Sequence, residues 1–239
     1  MIRQTEGRIF LAAERQLKEN LRSQQWSSFR TPECGNTDLR PVGHISALND
    51  YILDGSACQS IEVPGGYYVV LLPVAGAISY RDNSVSGKLI VAGQAQLLSI
   101  NKNTRIEITN PFRDQPVNFL QFLIRSSCIY PGKAIFLSTY EDVNRHHNKT
   151  VNLFPGLSRE ANRDFSMQVG KFRGRGEATY TMRRGGNSFF GFVLEGAFEV
   201  EGRLLQARDG LALWNVEVVE MEALSAGAII LIIETLYKS

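Results

Sequence analysis

The sequence predicts an all-β chain of two tandem β-barrels. Three observations carry this. Short apolar runs of strand length are separated by Gly, Asn or Asp. Little of the chain has a helical period. One half of the chain repeats the glycine spacing of the other. At 239 residues, 44% hydrophobic and 21% charged, the chain is long enough for one large or two small β domains, and its composition argues against disorder.

Taken in chain order, residues Ala12 to Leu21 are rich in Ala, Glu, Arg, Gln, Leu and Lys, with Leu17 and Leu21 at i, i+4, so one short helix is expected there. Strands follow at Tyr67 to Leu72, Lys88 to Ile90, Arg105 to Ile108 and Val117 to Ile124. Thr139-Tyr140-Glu141-Asp142 resembles a capping box with Asp for Glu, so a second helix could start there; Tyr140 to Asn152 is polar and reads as a connector. Further strands are expected at Phe189 to Leu194, Phe198 to Val200 and Ile229 to Glu234. The predicted division is 1–135 for a first barrel with its N-terminal arm, 136–165 for a connector and 166–239 for a second barrel. The arm, residues 7 to 12, can add an edge strand to either barrel.

The repeat is the most informative feature. Gly65-Gly66 precedes an apolar strand ending at Gly76, and Gly185-Gly186 precedes one ending at Gly196, an offset of 120. Gly87 to Ala92 matches Gly202 to Ala207 at an offset of 115, with the difference falling in a longer hairpin tip, Tyr80 to Ser84. Glycine at fixed turn positions has a backbone cause, since it adopts positive φ without a Cβ clash.

These segments resemble the cupin barrel, and the chain as a whole resembles the two-cupin pirin family. The residues that carry the likeness are Gly7-Arg8-Ile9-Phe10-Leu11-Ala12, Val63-Pro64-Gly65-Gly66-Tyr67-Tyr68, Tyr80-Arg81-Asp82, Ala92-Gly93 and Pro116 to Gln121 in the first half. Val193 to Val200 and Arg208-Asp209-Gly210-Leu211 carry it in the second. The resemblance implies two cupin barrels, and for some family members a quercetin 2,3-dioxygenase activity. It also implies an iron-type ion in the first cupin, held by a His-x-His pair and a His-x-Glu pair. Placed on this chain, those pairs fall on Glu62 and Pro64 and on Ile106 and Ile108; the second copy offers Met182, Arg184, Met221 and Ala223. A transition ion needs three or four imidazole or carboxylate ligands, so the expectation is no metal and no cofactor.

Hydrocarbon at those positions is expected to fill the barrels: Ile106, Ile108 and Tyr68 the first, and Met182, Met221, Phe190 and Phe192 the second. The candidate pocket of the first barrel is Glu62, Tyr68, Ile106, Ile108 and Gln121, with Glu62 and Gln121 as its polar lip and Arg105, Tyr68 or Gln121 as a partner for the Glu62 charge. Glu62 and Tyr68 are the acid–base candidates for any metal-free chemistry there. The leading expectation is a pirin-related bicupin acting as a non-catalytic binding or interaction module. The alternative is a quercetin 2,3-dioxygenase-type enzyme with non-family ligands such as Glu62, His44 and a second carboxylate.

Net charge is +2, from 26 basic and 24 acidic side chains, which gives no case for a nucleic-acid partner or a membrane surface. Residues 159–184 carry seven basic and three acidic groups, and residues 195–222 two and seven; cross-strand ion pairing within one barrel, or pairing between subunits, is expected to account for both. The N-terminus lacks an apolar signal core and the longest apolar run, Ala226 to Ile233, is too short to span a bilayer. Cys34, Cys58 and Cys128, without a C-x-x-C, read as free thiols of a cytoplasmic protein. His146 and His147 are adjacent and point apart in extended chain. The expected partner is a small ligand or another protein.

Overall fold

Strands of alternating phase dominate because nearly every apolar run can bury one or both faces against another sheet. The computed structural model describes residues 5–29, 40–82, 88–127, 135–139, 143, 146–155, 157 and 164–237. Among these residues the only helical segment with a range of its own is a single 3-10 turn, Ala12–Glu14; all other elements are strands. The chain is all-β, and it divides into two compact units, each a cupin-type barrel of two sheets.

The first unit comprises Gln16–Arg40 and Ile45–Thr139. Its large sheet runs, in spatial order, Ile135–Thr139, Gln94–Ile100, Tyr67–Ala75, Val117–Arg125, Ile45–Leu53, Ser23–Ser27 and Gln16–Asn20. Its small sheet runs Cys58–Val63, Thr104–Thr109, Ala77–Arg81 and Lys88–Val91. The inner faces of both sheets enclose a core that includes Tyr51, Leu71, Tyr80, Ile106, Ile108 and Phe119.

The second unit comprises Met1–Arg15, Pro41–His44 and Tyr140–Ser239. Its large sheet runs Gly7–Phe10, Gly210–Leu213, Asn187–Glu195, Ala228–Leu236, Phe165–Phe172 and Lys149–Asn152. Its small sheet runs Glu177–Thr181, Val218–Ala223, Ala197–Val200 and Arg203–Gln206. The small sheets match strand for strand, and five adjacent strands of the large sheets follow the same order; the first unit adds Gln16–Asn20 at its edge, without a counterpart in the second. Gly66 and Gly76 have φ of 85° and 79°, and their repeat partners Gly186 and Gly196 have 80° and 74°. Turn backbone and topology therefore share one register.

Each predicted strand is present. Three expectations are corrected. Ala12 to Leu21 is not a helix: after the 3-10 turn, Gln16–Asn20 pairs with Ser23–Ser27 as a hairpin. Helix propensity is a weak prior, and the ladder onto Ile45–Leu53 outweighs it. The arm, which the division 1–135 groups with the first barrel, pairs in the second, Ile9 opposite Leu211. Asp209 pins it by accepting the Ala12 N–H at 2.7 Å and the Gln206 N–H at 2.8 Å. Within the expected connector 136–165, Ile135–Thr139 is the edge of the first unit's large sheet, and Lys149–Asn152 is the edge of the second's. The expected helix after Thr139, and the residues Asn83 to Gly87, Cys34 and Cys128, lie outside the described residues. Cys58 is a free, exposed thiol. No helix among the described residues is long and apolar enough to cross a membrane.

Candidate functional site

Alternation along Cys58–Val63 turns Val63 and Ile61 inward, which leaves Glu62 on the outer face. Its side chain is 73% exposed and lies 3.9 Å from Arg105, its cross-strand neighbour. Pro64 is exposed as well. Glu62 therefore forms no lip over the barrel; Arg105 is its partner and water solvates both. The inward pair next to these positions, Ile61 and Val63, is hydrocarbon.

Ile106 and Ile108 are fully buried in the first barrel, as expected. Tyr68 is not inside. It alternates out of phase with Tyr67, Val69 and Leu71 and is buried on the opposite face of the large sheet. Gln121 does belong to the inner face, between Phe119 and Leu123. It accepts the Asn49 Nδ2–H bond at 2.7 Å.

In the second barrel Met221 and Ala223 are core residues, Met182 packs partly buried against them, and Arg184 is exposed. Phe190 and Phe192 are buried on the outer face of Asn187–Glu195; Phe189 and Val193 point inward in their place.

The strongest polar cluster escaped the sequence reading. Glu234, 2% exposed, sits on the inner face of Ala228–Leu236 beyond Ile230 and Ile232. Its carboxylate accepts the Tyr180 hydroxyl at 2.9 Å, the Asn187 side-chain amide at 2.5 Å and the Arg183 backbone N–H at 2.9 Å. These bonds tie the Met182–Gly186 turn to the end of the strand. This is the turn that the repeat matches to Pro64–Gly66 of the first barrel.

Three tyrosines are held protonated. Burial pushes the Tyr180 phenol well above the tyrosine range, and the Glu234 charge adds to it. Burial raises Tyr51 similarly, partly offset by a hydrogen bond with Asn49. Tyr80 is pushed up to about 12 by burial, with the Asp82 charge adding. Unfolded tyrosine releases its proton near pH 10, while folded Tyr80 keeps it to about pH 12. The stabilisation it contributes is therefore whole below pH 10 and is lost as pH rises through that window. Absorbance titration of phenolate is expected to show a late fraction at about pH 12 that shifts back to near 10 in urea; a single transition near pH 10 in the folded protein would contradict this.

The acidic stretch faces mostly itself. Arg175 meets Glu222 at 2.9 Å, but Glu177 and Glu199 stand directly across from Glu222 on either side. Glu177, Glu199 and Glu222, with Glu201, Glu220 and Thr5, line an open groove of about 860 Å³ on the second barrel. The expected ion pairing between the two stretches is present at Arg175 and Glu222.

The iron-type ion that the fold family implies does not fit these residues. The first barrel offers Ile106 and Ile108 inside and Glu62 and Pro64 outside; the second offers Met182, Met221 and Ala223 with an exposed arginine. His44 is half-buried and engages Thr235 Oγ1 through its backbone N–H at 3.3 Å, in a different unit from Glu62. Among the described residues no three His, Cys, Asp or Glu side chains cluster in a way that could hold a metal ion.

In sequence, residues 157–235 match the family described as the quercetinase C-terminal cupin domain. No curated protein matches the chain. In structure it is similar to YhhW from Escherichia coli, with a TM-score of 0.86 and 13% identity over 98% of this chain and 99% of that one. The nickel(II) complex of that bacterial pirin gives 0.83 and 14% over 98% and 100%. Quercetin 2,3-dioxygenase from Acinetobacter baumannii gives 0.72 and 12% over 98% and 79%. The fold is that of a pirin-like bicupin.

Proposed function

We propose that this pirin-like bicupin is a metal-independent binding module. The observation that carries the reading is the pair Ile106 and Ile108, fully buried at the two positions where the family resemblance calls for a histidine and a glutamate. A side chain without a lone pair cannot coordinate, and the imidazoles needed to replace it are not gathered elsewhere among the described residues. The second barrel closes the same positions with Met221 and Ala223. With hydrocarbon at the implied ligand positions of both barrels, what the fold retains is a pair of rigid scaffolds whose inward polar groups can hold a ligand in place.

The test uses the purified full chain. Elemental analysis for iron, nickel, copper and manganese is expected to find each far below one per chain. Oxygen uptake with quercetin is expected to stay at the buffer rate, with or without added iron(II) or nickel(II). A stoichiometric transition ion, or uptake that depends on both quercetin and the protein, overturns the reading.

A further inference from the structure

The strand Gln16–Asn20 has no counterpart in the second barrel, so the barrel itself does not require it. Among the described residues it pairs only with Ser23–Ser27, and its other side is the open edge of the first barrel's large sheet. Natural sheets blunt such an edge with proline, a bulge, brevity or charge. This one runs five residues without proline and without a break in register. Its charges, Lys18 and Glu19, are adjacent and of opposite sign. Leu17 is 48% exposed beside them.

The hairpin fixes which backbone groups face the open side. Leu21 and Arg22 form a two-residue turn between Asn20 and Ser23, which stand opposite each other. Such a turn closes on a pair that exchanges both hydrogen bonds, and bonded pairs alternate with unbonded ones along the ladder. Asn20, Lys18 and Gln16 therefore bond to Ser23–Ser27. The N–H and C=O groups of Leu17 and Glu19 point outward, and no strand meets them among the described residues.

An edge of this pattern matches a second copy of itself turned about a two-fold axis. Three registers place the axis on a residue between Leu17 and Glu19. The axis at Glu19 sets two carboxylates opposite each other. The axis at Lys18 sets two ammonium groups opposite each other, at the closer spacing of an unbonded pair. The axis at Leu17 sets leucine on leucine, Lys18 opposite Gln16, and Glu19 opposite Arg15. Arg15 continues the extended backbone, with φ of −61° and ψ of 141°.

We infer that this chain forms a two-fold dimer through Gln16–Asn20, with its axis at Leu17. On one face of the joined sheet the two leucines meet, flanked by two Glu19–Arg15 pairs of opposite charge, the arrangement that stabilises a cross-strand pair. A ladder this short places the dimer among the weak, concentration-dependent associations.

The test uses the full chain. Sedimentation equilibrium is expected to show monomer and dimer in exchange at submillimolar concentration. Leu17→Pro removes an N–H that crosses the axis but no bond of the hairpin, so it should keep the wild-type circular dichroism spectrum and weaken the dimer at least tenfold. Arg15→Glu is expected to weaken it about tenfold, since two ion pairs turn repulsive together, and adding Glu19→Arg should restore it. On oxidation Leu17→Cys should form an interchain disulfide above the wild-type background, and Lys18→Cys and Glu19→Cys should not, because only residue 17 lies within bridging distance of its own copy. Four results overturn the proposal: a monomer at every concentration, a dimer that Leu17→Pro leaves intact, no rescue by the paired charge reversal, or a bridge formed preferentially at residue 18 or 19.

Discussion

Glu234→Ala is expected to destabilise the second barrel by about 3 kcal/mol or more. The carboxylate is 2% exposed and accepts three hydrogen bonds, from the Tyr180 hydroxyl, the Asn187 amide and the Arg183 N–H. Hydrogen bonds to a charged group are each worth about 1.5–3 kcal/mol, and removal of the acceptor leaves three donors without a partner in a confined space. Water entering the vacated volume recovers part of this, which keeps the expected loss below the sum of the three bonds. Glu234→Gln preserves shape but turns an N–H₂ towards other donors, so it should recover less than half of the loss. Urea unfolding read by far-ultraviolet circular dichroism measures both variants. A loss under about 1 kcal/mol for the alanine variant would show that the cluster is already open to water.

Asn110→Ala should act with similar force on the first barrel. One buried side chain, 1% exposed, closes the loop after Thr104–Thr109. Its Nδ2 donates to the carbonyls of Leu53 and Asp54 at 3.0 Å each and of Gln115 at 2.7 Å, and its Oδ1 accepts the Phe112 N–H at 2.9 Å. Alanine leaves those backbone groups unpaired, at a cost of about 3 kcal/mol. Asn110→Asp is the sharper variant. It keeps the acceptor for Phe112 but points an oxygen at three carbonyls, and should be worse than alanine. The order of urea midpoints, wild type above alanine above aspartate, is the expected result. An aspartate variant as stable as wild type would sink the assignment of Nδ2 as the donor.

The architecture was legible because turn glycines and strand hydrophobicity obey one register, and Gly66, Gly76, Gly186 and Gly196 all take the positive φ that their spacing implied. The site was much less so. Reading which face of a strand looks inward needs a polar alternation, and Tyr67–Ala75 and Asn187–Glu195 have little, because both faces are buried. The sequence alone therefore does not separate Tyr68, Phe190 and Phe192 from Val69, Phe189 and Val193, which hold the interior. Glu62 failed by a single residue of phase, which on a strand moves a side chain to the other face. Glu234 was hidden at the end of an apolar strand, with partners 47 to 54 residues away. One signal pointed to it: a lone acid closing the apolar run from Ile229. Gln121 was legible as a member of the first barrel, but its partner was not, because Asn49 reaches it only through register.

The pairing of Ile9 with Leu211 fixes an order of events during synthesis. The arm is translated before its docking groove, which is bounded by Asp209 and Gly210–Leu213 and follows about two hundred residues later. At about 5–20 residues per second the segment waits roughly 10–40 s with its backbone donors and acceptors open to any passing strand. Docking of the arm thus joins two segments made at widely separated times.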